Sequence, residues 1–334
     1  MNPSDADITR PTQRTVGPAE PLHDLPPTAA RPGAVRLSRR SLLAAIGAAA
    51  AGTAGCGLVT QASSAPISTP TSRATANAAA VPGAKTPAAS AAPIPAIRAE
   101  IEKRFAGRPP GQWGIDLPGI VTHTGSRAVA LTFDACGGPG GSGYDAQLID
   151  TLRRLGVPAT LFLNARWINT NPSLSGELAS DSLFEIGNHG LANVPLSTTG
   201  RSAYGIAGTS TIGGVIDEVS GGASRIVALT RKRSLWFRAG TAFYDETAVQ
   251  VVSAIGFTPV NFSINSDGGA TFPPGTVAAQ LAAVQPGDIV IGHMNQPGSG
   301  TSAGYAAALP AMIDQGMDFT TLSLTRIPVH PRIV

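Results

Sequence analysis

The sequence predicts an α/β fold: a single distorted (β/α) barrel of about seven parallel strands. Three observations lead there. From Arg127 onward, short apolar runs alternate with segments of helical period. Several of the runs end in a charged or polar residue, which is where a parallel barrel gathers its chemistry. The repeated strand–helix order calls for right-handed crossovers within one sheet, and about seven units in some 200 residues fit a closed or nearly closed barrel better than two separate domains.

The elements follow in order. Ala128–Phe133 reads as the first strand and runs straight into Asp134, with a Gly-rich turn, Gly137–Gly143, behind it. Tyr144–Leu155 is an amphipathic helix, with Leu148, Ile149, Leu152 and Leu155 on one face. Ala159–Leu163 and Leu183–Ile186 read as the second and third strands. A Ser/Thr/Gly-rich stretch, Ser197–Gly214, leads into a helical pattern that reaches Val227. Leu235–Phe237 and Phe257–Ser263 are strand-like, with a helix at Asp245–Ile255 between them. Thr276–Val284 is helical, Asp288–Ile291 a strand, Tyr305–Asp314 the last helix and Phe319–Leu324 the last strand.

The front of the chain reads differently. Ser38-Arg39-Arg40 opens a weakly apolar stretch, Leu42–Ala54. It is too short to span a bilayer, which takes about 20 strongly apolar residues. A paired Arg before such a stretch resembles a twin-arginine export signal. Thr53-Ala54-Gly55-Cys56 is similar to a lipoprotein processing box, with Cys56 as the lipidated residue and Thr53 a departure from the usual larger aliphatic side chain. Residues 1–56 are therefore read as an export signal with a long leader. Residues 57–95 are read as a disordered linker, because Ala, Ser, Thr and Pro bury too little surface to offset ordering entropy. Residues 96–334 form the folded domain, with its core at about 121–324. The expected location is outside the cytoplasm: anchored by lipid on the outer face of the membrane, or secreted or periplasmic.

The net charge of +3 arises mostly in this leader. Residues 1–55 hold six Arg and four acids, which leaves 18 basic and 17 acidic residues in the rest. No basic face for nucleic acid is indicated. Cys56 and Cys136 do not suggest a disulfide framework.

Five places fall at or just after strand ends: Thr132-Phe133-Asp134, Asn188-His189, Phe237-Arg238-Ala239-Gly240-Thr241, Asn265-Ser266-Asp267 and Ile291-Gly292-His293. Taken singly, each has an ordinary structural explanation as a cap, a turn residue or a satisfied strand-end side chain. Their order and spacing resemble the polysaccharide deacetylase family, the NodB homology domain of family 4 carbohydrate esterases, over roughly Val121–Leu324. Ala130-Leu131-Thr132-Phe133-Asp134 and Glu185-Ile186-Gly187-Asn188-His189 carry most of the likeness. Gly287-Asp288-Ile289-Val290-Ile291-Gly292-His293 is nearly as specific.

The resemblance implies a catalytic set of Asp134, His293, Arg238 and Asp267. Asp134 would take a proton from the attacking water and His293 would protonate the departing amine. Arg238 would hold Asp134 ionised and Asp267 would orient the His293 ring, which separates the base from the acid as amide hydrolysis requires. The implied substrate is an acetylated amino-sugar polysaccharide such as peptidoglycan or a chitin-like polymer.

The sequence departs from the family where a divalent metal, Zn or Co, is expected. Ala135 stands in place of a second Asp and Asn193 in place of a second His. His189 remains as a candidate ligand, with Asp145, Asn193, Cys136 or Asp134 to complete a set. Two other readings stay open. One is an inactive, glycan-binding lipoprotein of deacetylase type. The other is a metal-independent amidase or esterase acting on a small substrate, in keeping with few aromatic platforms. Trp113, Trp167, Trp236, Tyr144, Phe243 and Tyr244 are the candidates for such platforms, and packing is the expected job of most of them.

Overall fold

The structure is a computed structural model in which residues 94–328 are described. The export signal, Cys56 and the linker up to residue 93 lie outside the described residues. The chain enters through α1 (Ile94–Phe105), which occupies the last two positions assigned to the linker. The elements that follow are β1 (Trp113–Gly114), β2 (Val129–Ala135), α2 (Ala146–Leu155), β3 (Ala159–Leu163), α3 (Ala165–Thr170), α4 (Pro172–Ser180) and β4 (Phe184–Asn188). Next come β5 (Ser202–Ala203), β6 (Ile206–Ala207), α5 (Ile212–Thr230), β7 (Trp236–Phe237), β8 (Tyr244–Asp245) and α6 (Glu246–Ile255). The chain closes with β9 (Thr258–Pro259), β10 (Ile264–Asn265), α7 (Pro274–Ala282), β11 (Ile289–His293), α8 (Thr301–Asp314) and β12 (Phe319–Thr320).

Seven strands form one curled parallel sheet in the order β10-β11-β2-β3-β4-β7-β9, and β12 joins the start of β2 as an eighth. The central strand, β2, is buried along its whole length, as expected of a strand covered on both faces. Alternation divides its side chains between two layers. Leu131, Phe133 and Ala135 join Leu148, Ile149 and Leu152 of α2 in the outer apolar layer. Ala130 faces the interior with Phe162, Trp236, Val260 and Ile289. Asp134 therefore follows Ala130 and Thr132 inward. Each fully buried Leu, Ile or Phe of these layers contributes about 1.5–3 kcal/mol, so the outer layer fixes where the inner face points.

The two outermost strands of the order are successive parts of one extended stretch. Thr258 and Val260 donate to Leu235 and Phe237 at 2.8 and 2.9 Å, while Ser263 and Ser266 donate to Ile289 and Ile291 at 2.9 and 3.0 Å. This stretch thus holds β7 on one side and β11 on the other, which is the distorted barrel the sequence predicts.

Local chemistry sets the helix ends. Asp145 caps α2 by accepting from Leu148 N, and Gly156 ends it in the left-handed conformation. Asp245 caps α6 in the same way through Ala248 N. Several differences from the sequence reading are instructive. β2, β4 and β11 run on through Ala135, Asn188 and His293, because ladder pairing continues past the last apolar residue. α3 and α4 fill the connection after β3, which the sequence reading left without a helix. The predicted last strand is shortened to Phe319–Thr320, and Leu322–Leu324 winds into a 3-10 turn.

Candidate active site

The carboxyl ends of β2, β4, β7 and β11 meet at one edge of the sheet. His293 is the register partner of Asp134 on the neighbouring strand, so both side chains leave the same face. Arg238 directly follows β7, and its amide donates to the Asn188 carbonyl of β4 at 3.0 Å. Asp267 follows β10 and Ser266, whose hydroxyl bonds the Ile291 carbonyl and Tyr305. The structure brings Asp134, Arg238, Asp267 and His293, as well as His189, to this edge.

Two ionic pairs dominate the geometry. Arg238 Nη1 donates to Asp134 Oδ1 at 2.8 Å. Its Nε and Nη2 donate to the carbonyls of Val260 and Asn261 at 3.1 and 3.0 Å, and the guanidinium stacks on Phe162 at 4.3 Å. The second pair is His293 Nδ1 with Asp267 Oδ1 at 2.9 Å. Asp267 Oδ2 also accepts from the His293 amide at 2.7 Å and from the Thr301 hydroxyl at 2.9 Å, which fixes the carboxylate from three sides. With Nδ1–H committed to Asp267, Nε2 of His293 is free to exchange a proton with a ligand.

The environments push the titrations apart. Burial alone would raise Asp134, but His189, Arg238 and His293 more than offset it and hold the carboxylate below its usual range. Burial likewise opposes the ionised form of Asp267, and His293 reverses this so that its carboxylate too lies low. Burial would lower His293, but the Asp267 carboxylate outweighs it and raises the imidazole above its usual value. The result is a carboxylate favoured in its ionised form beside an imidazole favoured in its protonated one.

His189 stands between. Its Nδ1 bonds the Arg238 carbonyl at 2.9 Å, while Nε2 lies 3.6 Å from Asp134 Oδ2 and 3.7 Å from Cys136 Sγ. Burial pushes its pKa down, against the opposing pull of the Asp134 carboxylate. Burial also pushes the Cys136 thiol well up, which keeps it protonated and unreactive as a nucleophile.

The residues present do not fit the expected metal. Ala135 turns into the outer apolar layer with Phe133 and Leu163, away from Asp134. Asp145 Oδ1 is engaged in capping α2. Asn193 sits in a left-handed bend (φ 58°), with its Oδ1 buried and unbonded. Among the described residues, no three His, Cys, Asp or Glu side chains are placed to hold a cation.

Sequence reasoning missed Glu218. This buried acid of α5 accepts from the amides of Ala192 and Asn193 at 2.9 and 3.0 Å and pins the loop behind His189. Burial raises its pKa. In sequence it looks like any solvated helix acid. Arg166, at the start of α3, was also missed; its Nη2 reaches the Gly137 carbonyl at 3.3 Å. Arg166 borders a cavity of about 350 Å³ whose lining also includes His293, Cys136, Asn193, Asn295 and Ile206. A larger cavity of about 480 Å³ lies by Glu185, Leu235 and Leu324, at the opposite ends of the strands, and has no comparable acid–base pair.

Residues 122–260 match the family model for polysaccharide deacetylase. Over this stretch the chain is similar to polysaccharide deacetylases. The match covers Asp134, His189 and Arg238, while Asp267 and His293 lie beyond it. Solved structures of the family share the fold. A family 4 carbohydrate esterase pseudoenzyme from Bacillus anthracis aligns at 18% identity and a TM-score of 0.52, covering 64% of this chain and 73% of that one. A peptidoglycan N-acetylglucosamine deacetylase aligns at 18% identity and a TM-score of 0.52, covering 64% and 95%. PdaA of Bacillus subtilis, a family 4 carbohydrate esterase, aligns at 16% and 0.51, covering 67% and 86%. Polysaccharide deacetylase folds of this type thus include both enzymes and a pseudoenzyme.

Proposed function

We propose that the protein is a cell-envelope hydrolase that removes N-acetyl groups from an amino-sugar glycan, peptidoglycan or a chitin-like polymer. The observation that carries this reading is the pair of ionic couples, Asp134–Arg238 and His293–Asp267, on adjacent strands in register. Water gives a proton to Asp134 as its oxygen bonds to the acetamide carbonyl carbon. The C–N bond then breaks as His293 Nε2 protonates the amine, leaving acetate and a free amino sugar. Arg238 and Asp267 act as positioning residues. The test is release of acetate from N-acetylglucosamine polymer by the full chain, measured with chelator and again with added Zn²⁺ or Co²⁺. No release under any of these conditions overturns the reading.

A second reading is favoured by Ala135 and Asn193: a glycan-binding protein of deacetylase type without turnover. Glycan affinity that survives Asp134→Asn and His293→Ala, with zero acetate release, would select it.

A pH profile examines the base–acid assignment. The rate (kcat/KM) should be bell-shaped. Its acid limb should fall below the ordinary carboxylate value of about 3.9 and its alkaline limb above the ordinary imidazole value of about 6.5. Asp267→Asn should bring the alkaline limb down, and an unmoved limb would remove Asp267 from its role. The same pair shapes stability. The His293 contribution is full below about pH 6.5 and fades as pH rises through its raised value. That of Asp267 is full above about pH 3.9 and is lost on acidification.

Export through the Arg39-Arg40 signal and lipidation at Cys56 complete the proposal. The chain is expected in the membrane fraction, and Cys56→Ser should release it. A chain equally distributed with and without that change would end the anchor reading.

A further inference from the structure

We infer that the β5–β6 hairpin and the loop after Arg238 form a stacking platform for pyranose rings at the mouth of the candidate site. Ser202 pairs with Ala207 and Ala203 with Ile206, which leaves Tyr204 and Gly205 as a two-residue turn. Both have positive φ, 50° and 74°. Turns of this kind favour Asn or Gly at the first position, because a side chain there crowds its own backbone. A tyrosine in that place carries strain, and burial does not compensate: Tyr204 is 67% exposed. Strain of this sort at an exposed aromatic points to a job outside the fold.

The ring has company. Phe243 lies 5.6 Å from Tyr204, edge-on, and 5.5 Å from Trp113. Trp113 is fixed by β1, which pairs with β8 beside the Arg238 loop. Ile206, at the far side of the turn, lines the same cavity as His293 and Cys136. The hairpin that carries Tyr204 thus reaches the space where an acetamide would react through Ile206. Pyranose rings present apolar C–H faces with hydroxyls around the rim, and aromatic rings with one wet edge match them.

The identity of the ligand rests on the deacetylase reading, so the experiment separates the two. Binding of an N-acetylglucosamine hexasaccharide to the full chain is measured by calorimetry, alongside thermal unfolding. Tyr204→Asn should leave Tm equal or higher, since Asn suits the turn, while Kd rises about tenfold. Tyr204→Phe should bind close to wild type. Equal binding by Tyr204→Asn overturns the platform and leaves the function standing. Weaker binding that travels with a lower Tm makes Tyr204 structural and also overturns it. If the wild type binds no hexasaccharide, the platform falls, and the acetate assay decides the function by itself.

Discussion

Replacing Arg238 by Met is expected to lower the unfolding free energy by about 3–5 kcal/mol, the usual cost of stripping one partner from a buried ion pair. The side chain is fully buried, and each of its three nitrogens donates a hydrogen bond within the protein. Its removal leaves the Asp134 carboxylate in the interior without its closest cation, and it leaves the carbonyls of Val260 and Asn261 unbonded. Arg238→Lys should be nearly as harmful, because one ammonium cannot serve three acceptors in a plane. Urea unfolding at neutral pH measures the effect. Asp134 titrates low in the native protein, so its contribution is full above the ordinary carboxylate value and lost as pH falls through the depressed one. The gap between wild type and variant should therefore narrow in acid. A loss below about 1 kcal/mol at neutral pH would show that the pair is dispensable.

The second large effect concerns chemistry. Asp134→Asn keeps the shape of the side chain and an oxygen for Arg238, but it cannot accept a proton from water. Acetate release should fall by about 10²–10⁴-fold, the typical worth of a positioned general base. Hexasaccharide binding should change far less. A variant with more than a tenth of the wild-type rate would displace Asp134 as the base.

What the sequence made legible follows from how local each signal is. β3 is predicted to the residue because Ala159–Leu163 is a short, mostly apolar run bounded by Pro158 and Asn164. The ends of β2 and β11 were underestimated because Asp134 and His293 look like loop residues, although their backbones remain in the ladder. α3 and α4 have good start signals, Asn164 as a cap and Pro172 at a first turn, but too few turns for periodicity to show. The β5–β6 hairpin disappears into a Ser/Thr/Gly-rich stretch, and with it Tyr204. In the site, Asp134, Arg238, Asp267 and His293 could be read because family order tied them together. Glu218 could not, since only the fold brings α5 against the loop it holds. Ala135 shows the opposite case: its letter suggests a lost ligand, and the structure shows a methyl group packed among Phe133, Leu163 and their neighbours.

The extended stretch that bridges both edges of the sheet also gauges the reaction. Its first half supplies the carbonyls of Val260 and Asn261 that seat Arg238, and it ends at Asp267, which seats His293. The reach between the proton acceptor and the proton donor is thus measured by a single length of peptide. A one-residue insertion there would turn one arm of the caliper to the opposite face.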